Sequence, residues 1–497
     1  MQLLGFEISL STAVATTVAL YVGRQLFEDR KLRDIPAIGY TFPILNWITA
    51  VQHIFNARVL ISEGYKRYPN GVFRIAVHDG WLVIASGPQL VEEVRRAPED
   101  TLSFEQAMVR RIQLRHTLGD DVLAIPYHTD VMRAALTRNI DPRFNDIRDE
   151  IVCAFEEEVG AEKEWKEVPA IETAEHIVSR VNNRFFVNLP LCRDRDWMRL
   201  NVNYAVNAAM VAVLLNFLPV ILRPLVSRAF LSFHTERRRA NELVGPLIAR
   251  RIQDFAEDGE KTEDLPNDLI TWLLDGCPPE LREVPFLTNR ILIVNFAAIH
   301  SSRVTFLRVL YKLAANPEWV SLMREEVERV LVEEGWSKSA LAQMRRLDSL
   351  IRETQRMETP DLTSMNRWVC KPFTFSNGVR IPAGCLLACP ADAMHTDVLY
   401  HGEDAAEFNP WRYSDPTNDS TYQMVATSPT YLAFGHGRNA CPGRHLAANE
   451  IKGMLAHLVL EYDVRFKNGE GPLSDWEIGN NILPRDAILE FRRRAAA

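Results

Sequence analysis

Apolar positions along the 497-residue chain fall into three patterns, and each predicts a kind of element. Residues 3–23 are apolar or small apart from Glu7, and the basic residues Arg24, Arg30, Lys31 and Arg33 follow. About 20 such residues suffice to cross a bilayer as a helix. The downstream cations favour a cytosolic body, so 1–24 is expected to be a retained N-terminal transmembrane anchor. A cleaved signal peptide is the rival reading, disfavoured by the lack of a basic leader. Pro36, Gly39 and Pro43 then interrupt regular structure, which makes 25–45 a linker and proline-rich hinge ahead of a body spanning 46–497.

The second pattern is strand-like. Val72 to Val77 and Trp81 to Ala85 flank His78-Asp79-Gly80, and the Asp-Gly pair predicts a hairpin. The third is apolar spacing of three and four residues, which predicts helices. It places Val131, Ala134 and Ala135 on a helix over 128–139, and Leu347, Leu350 and Ile351 on one that also carries Glu353 and Arg356. It also sets Leu446, Ile451, Met454, Leu455, Leu458 and Val459 on one stripe. Residues 285–315 are predominantly apolar, and a helix of that kind and length in a folded body must be covered on both faces. Pro317 suits the first turn of the next helix.

Composition narrows the class only modestly. A 47% hydrophobic and 25% charged chain is ordinary for a globular protein. The net charge is −8 and Lys and Arg are dispersed, which gives no support to nucleic-acid binding. Seven cysteines repeat no zinc-like spacing, and a reducing compartment fits them best. Asn418-Asp419-Ser420 would accept a glycan only in the lumen, so on this topology it stays unmodified.

The candidate chemistry centres on Phe434-Gly435-His436-Gly437-Arg438-Asn439-Ala440-Cys441-Pro442-Gly443-Arg444, just before the last apolar stripe. A thiolate at a helix start is stabilised by free amides, and flanking glycines let the backbone approach something large and flat. From the residues alone Cys441 either ligates a metal or attacks a substrate, or is a structural cysteine beside a glycine-rich turn.

This stretch resembles the haem-binding loop of the cytochrome P450 family, Phe-x-x-Gly-x-x-x-Cys-x-Gly, with Phe434, Gly437, Cys441 and Gly443 in register. Further motifs follow in the order that family requires. Glu353-Thr354-Gln355-Arg356 matches its Glu-x-x-Arg, and Phe408-Asn409-Pro410-Trp411-Arg412 its aromatic-Pro-x-Arg segment, so that Arg412 would join Glu353 and Arg356 in a buried structural triad. Arg133 matches the arginine of Trp-x-x-x-Arg, although Thr129 holds the tryptophan position, so His128 or Arg133 would reach a haem propionate. Arg367 would reach a propionate too. Ala297-Ala298-Ile299-His300-Ser301-Ser302 aligns with the distal Ala/Gly-Gly-x-Asp/Glu-Thr-Thr, with histidine at the acidic position and serine at the alcohol position. Either His300 and Ser301 relay protons, or they are a packed histidine and a helix-bending hydroxyl with water as the carrier. Asn439 stands where many members carry Arg or His, and Arg438 beside it would compensate.

The resemblance implies a mainly α fold with a small β portion, and haem b held by Cys441 as the metal ligand. Arg133, Arg367, Arg438, Asn439, Phe434, Gly437 and Gly443 would surround that cofactor. Substrate would lie near Phe296, Ala297, Met365 and Leu483, with Phe104 to Leu118 as a specificity region. Electrons would come from NADPH through NADPH-cytochrome P450 reductase, with or without cytochrome b5, at the endoplasmic reticulum membrane. The implied reaction inserts one atom of O2 into an apolar small molecule, the thiolate lending electron density that favours O–O cleavage. The loop and distal segment are most similar to fungal membrane P450s related to ent-kaurene oxidases, which points to a terpenoid or other secondary metabolite, ahead of indoles, polyketides and fatty acids. Rival readings are a thiolate-haem isomerase or peroxygenase, and a non-enzymatic haem-binding membrane protein.

Overall fold

The computed structural model describes residue 23 and residues 30–494 apart from 43–44, 79, 161, 219, 221, 230–231, 258–261, 263–264 and 415–419. The expected anchor apart from Gly23, residues 25–29 and 43–44 of the linker, Asp79 of the hairpin and Asn418-Asp419 of the glycan site lie outside the described residues. The chain forms two compact units.

The first unit draws on residues up to Ala107, Asp361–Met394 and Glu477–Asn481. Its centre is a six-stranded mixed sheet. The expected hairpin is there, Val72–Val77 antiparallel to Gly80–Ala85 with Val72 opposite Ala85. The short strand Ala37–Ile38 runs parallel on one side of it. On the other side Leu386–Cys389 runs parallel to Gly80–Ala85, then Ser364–Val369 and Leu102–Ser103 follow antiparallel. Both strands of the hairpin are almost wholly buried, which is why each reads as a continuous apolar run with little alternation. The helix Asn46–Arg67 lies on this sheet, and Gly64 is the point of closest approach: a Cβ there would collide with the ring of Phe73.

The second unit holds the rest of the described chain and is built around one helix, Val284–Ala315, 32 residues long with Pro285 in its first turn and Lys312 in its last. Pro and a cation suit those two ends, where free amides and free carbonyls respectively are exposed. Twenty of its residues are buried, as an apolar helix with little polar face requires. Helices Ala170–Phe186, Arg195–Asn216, Ser232–Glu257 and Arg444–Glu461 pack around it. Helix Tyr127–Asn139 is tied to the same region by Tyr127 stacked on Phe286 with ring centres 6.1 Å apart. A three-stranded sheet of Tyr462–Phe466, Ile488–Arg493 and Lys166–Pro169 closes one edge. Mainly helical content with a small sheet portion is as expected.

Among the described residues, one helix is long and apolar enough to cross a membrane by length and composition, Arg195–Asn216, with a mean hydropathy of 1.3 over its most apolar stretch and 44% of that stretch buried. Sequence reading marks 143–257 only as helical with mixed charged and apolar positions, and does not single this helix out. Its first turn is capped by Asp194, whose carboxylate accepts from the Trp197 amide at 2.8 Å.

Candidate active site

The loop around Cys441 is shaped by two left-handed glycines, Gly435 at φ 68° and Gly437 at φ 77°, a conformation an L side chain resists. The turn Gly437–Asn439 brings the chain back so that the Cys441 amide donates to the Phe434 carbonyl at 2.8 Å. The Arg444 guanidinium then donates to the Cys441 carbonyl at 2.9 Å, fixing the start of helix Arg444–Glu461. Cys441 is only half-buried, as are its neighbours in the loop, although the helix it precedes is almost wholly buried. A Cβ on Gly443 would sit 3.9 Å from Sγ, so glycine leaves room beside the sulfur.

Burial pushes the Cys441 thiol up, while the Gly443 and Arg444 amides and the Arg444 charge pull it down. A bound cation at the sulfur would complete that pull and hold it as thiolate. Among the described residues no three His, Cys, Asp or Glu side chains gather as a protein-only metal site. Cys441 offers one sulfur donor, and a haem, which brings its own ring nitrogens, needs only one such ligand from the protein. The loop fits such a group.

Arg133 shares with Arg438 and Arg444 the lining of an open cavity of about 270 Å³, together with His445 and Thr137. Arg133 is half-exposed and its guanidinium lies 3.2 Å from Asp130. His128 is different. It is buried, and burial together with the Arg290 charge lowers its imidazole to about 4, so it is neutral. Of the two candidates for a propionate, Arg133 is therefore the cation that opens beside the Cys441 loop. Asn439 ends the turn Gly437–Asn439, and Arg438 next to it is exposed.

The central helix carries further candidate residues of the second unit. Amid buried neighbours such as Leu292, Ile299, Ser302 and Val304, the side of the helix carrying Ala297, His300 and Ser301 is exposed and Phe296 is half-exposed. Those positions follow three- and four-residue spacing, so they form one accessible strip, apolar at Phe296 and Ala297 and polar at His300 and Ser301. Ser301 Oγ donates to the Ala297 carbonyl at 3.1 Å. Arg303 Nη2 donates to His300 Nδ1 at 3.4 Å. Leu483 follows Ile482, whose carbonyl accepts from Arg308 of the same helix at 3.2 Å. Arg308 also pairs with Asp475 at 2.9 Å.

Glu353, Arg356 and Arg412 are brought together in the second unit. Arg356 and Glu353 are both fully buried and form a two-pronged pair at 2.7 Å on each prong. Arg412 Nε reaches the same carboxylate at 3.2 Å. The spacing of Glu353 and Arg356 on its own suggests an exposed surface pair, and tertiary packing makes it an interior one.

In the first unit Arg367 is buried, donates from Nη1 to the Asn366 carbonyl at 2.8 Å and lies over the Phe104 ring at 5.7 Å. Met365 beside it holds φ 57°, a left-handed backbone at the irregularity between Ser364 and Arg367. For a residue with a Cβ that conformation costs about 1–2 kcal/mol, and such outliers gather where a side chain must be aimed. The expected specificity region 104–118 is helical over Phe104–Arg111 and Leu114–Thr117. Sequence reasoning missed Arg303 and its partner Glu175, 3.4 Å apart, because a contact between residues 128 apart leaves no local pattern.

Known proteins match this chain over most of its length. The family Cytochrome P450 matches residues 39–485. Cytochrome P450 monooxygenase 103 of Postia placenta is 37% identical over 487 residues, covering 96% of this chain and 97% of that one. Cytochrome P450 monooxygenase 71 of the same fungus is 38% identical over 469 residues, covering 93% of this chain and 94% of that one. The ent-kaurene oxidase of Gibberella intermedia is 27% identical over 474 residues, 93% of this chain and 88% of that one. The likeness is thus to fungal P450 monooxygenases broadly, and the narrower resemblance to ent-kaurene oxidases is the weaker one. With the Cys441 loop in register with the family's pattern and a match across most of its length, the chain belongs to the cytochrome P450 family and is a haem-thiolate monooxygenase.

Proposed function

We propose that this monooxygenase hydroxylates an apolar small molecule, a terpenoid or related secondary metabolite, using electrons from NADPH delivered by a membrane-bound reductase. What carries the proposal is the accessible strip on an otherwise buried helix, where Phe296 and Ala297 offer an apolar bed and His300 and Ser301 a polar end. Cys441 would hold haem b, and Arg133, Arg438 and Asn439, in the same unit, are side chains that would meet its propionates. Bound there, the haem supplies the activation of dioxygen.

The chain's own part is binding, orientation and proton supply. Phe296 and Ala297, with Leu483, would pack an apolar skeleton and exclude water from it. Ser301 Oγ, anchored on the Ala297 carbonyl, keeps its lone pairs free to accept a proton and can turn to donate one. His300, beside it on the strip, is the second group able to move a proton. The expected anchor at 1–24 would place the body on the cytosolic face of the endoplasmic reticulum.

The decisive test is co-expression of the full chain with a reductase and analysis of products from terpenoid, indole, polyketide and fatty-acid candidates under labelled O2. Label in a terpenoid product that depends on NADPH is expected. A product that forms without NADPH would favour an isomerase or peroxygenase instead. The membrane assignment is tested by deleting residues 1–24, which should release the body from the membrane pellet.

A further inference from the structure

We propose that Glu175 and Arg303 are positioning residues that hold His300 in one tautomer, with its ring proton on Nε2. The inference rests on the reading that the strip of Ala297, His300 and Ser301 borders the substrate. Arg303 lies one turn beyond His300, and its Nη2 donates to His300 Nδ1 at 3.4 Å. A guanidinium carries donors and no acceptor, so the nitrogen facing it must present a lone pair. In a neutral imidazole the proton then sits on Nε2, at the other edge of the ring. His300 therefore enters the reaction as a donor of fixed identity.

The guanidinium is itself held from outside the central helix. Its Nη1 lies 3.4 Å from Glu175 Oε2 on helix Ala170–Phe186, and neither side chain is open to solvent, at 13% and 23% exposure. At that burial a charge pair is screened far less than on the surface. Burial pushes the Glu175 carboxyl up; Arg303 and His176 pull it down, and Glu172 on the same helix pushes it up again. His176 is paired with Glu158 of helix Phe144–Glu158 at 3.0 Å, and that pairing raises it. Ionisable groups thus link the central helix to two neighbouring helices, Arg303 meeting Glu175 and the adjacent His176 meeting Glu158. Protonating Glu175 removes the anion that anchors Arg303, and the His300 tautomer loses its support.

Nitrogen-15 NMR of histidine-labelled full chain in detergent, as the reduced carbon monoxide complex, reads this directly. The His300 signals are assigned by their loss in His300→Gln. The unsubstituted protein should show well-separated Nδ1 and Nε2 signals of the Nε2–H form. Arg303→Met and Glu175→Gln should draw them toward a common average, and Arg303→Lys, which restores a donor, should separate them again. Product formed per NADPH should fall in Arg303→Met and recover in Arg303→Lys. A His300 that already averages in the unsubstituted protein, or one indifferent to both Arg303→Met and Glu175→Gln, overturns the inference. The carbon monoxide difference band on the same samples tests the haem reading separately, since its loss would not move the histidine tautomer by itself.

Discussion

Replacing Arg356 by alanine should damage the protein far more than replacing Arg412, although both contact Glu353. Arg356 makes five hydrogen bonds: two to Glu353, and one each to the carbonyls of His395 at 2.7 Å, Ala405 at 2.6 Å and Glu407 at 3.1 Å. Its removal leaves a fully buried carboxylate with only Arg412 Nε and the Asn409 amide, and takes Arg356 from the His395 and Ala405 carbonyls, while the Glu407 carbonyl keeps Arg412 Nη2 at 3.2 Å. Losing one partner of a buried pair costs about 3–5 kcal/mol. Set against a typical stability of about 5–15 kcal/mol, that is a large share of the whole. Arg412 is 11% exposed and its other acidic partner, Asp404, is 46% exposed, so water takes over part of what it leaves. Glu353 meanwhile keeps both prongs of Arg356, and a loss of about 1–3 kcal/mol is expected. Urea unfolding of the purified full chain followed by tryptophan fluorescence should show a much lower midpoint for Arg356→Ala, and Arg356→Lys should recover only part of it because a point charge cannot make the two-pronged bond. Arg412→Ala unfolding at the same or a lower urea concentration than Arg356→Ala would refute the reasoning.

Two further outcomes are expected. Cys441→Ala should abolish both the reduced carbon monoxide difference band and NADPH-dependent turnover, and normal turnover would remove the haem assignment. Glu450 is fully buried on helix Arg444–Glu461, neither carboxyl oxygen meets a hydrogen-bond partner, and burial alone pushes its carboxyl up to about 8. The folded chain thus keeps a proton that the unfolded chain releases above about pH 4.3, so through this group stability falls as pH rises from about 4.3 to about 8 and is flat beyond. Glu450→Gln should raise the urea midpoint at about pH 8.5 and leave it nearly unchanged at about pH 5; equal shifts at both would contradict this.

Much of the fold is legible because its signals are local. The apolar run at 285–315, with Pro285 at its start, needs no partner to announce a buried helix, and Val284–Ala315 differs from it by one residue. The hairpin at 72–85 is equally local. The loop at Cys441 is legible because its glycines are demanded by backbone geometry at Gly435 and Gly437. What stays hidden is set by contacts between distant residues. Lys452 paired with Asp348 at 2.9 Å inside the second unit is one such contact, and Glu175 with Arg303 is another. Neither residue of either pair carries a mark in its own neighbourhood that separates it from an ordinary charged position on a helix.

Ser301 shows how little separates a structural hydroxyl from a catalytic one. Its Oγ proton is already committed to the Ala297 carbonyl at 3.1 Å, one turn back along the helix. To donate elsewhere the side chain must turn, and a serine, unbranched at Cβ, turns more freely than a threonine. A threonine hydroxyl donates the same bond to the backbone carbonyl within a helix, so Ser301→Thr keeps the hydroxyl where it is and adds a methyl group to the exposed strip. If the hydroxyl moves protons, Ser301→Thr should hold the ratio of product to NADPH consumed, or raise it through a steadier hydroxyl, while weakening the binding of bulky substrates. Ser301→Ala should lower that ratio and release more hydrogen peroxide. If the hydroxyl only bends the helix, alanine, which forms helix more readily, should leave the ratio unchanged. Coupling in Ser301→Ala equal to that of the unsubstituted enzyme would therefore assign proton supply to His300 or water and leave Ser301 a backbone role.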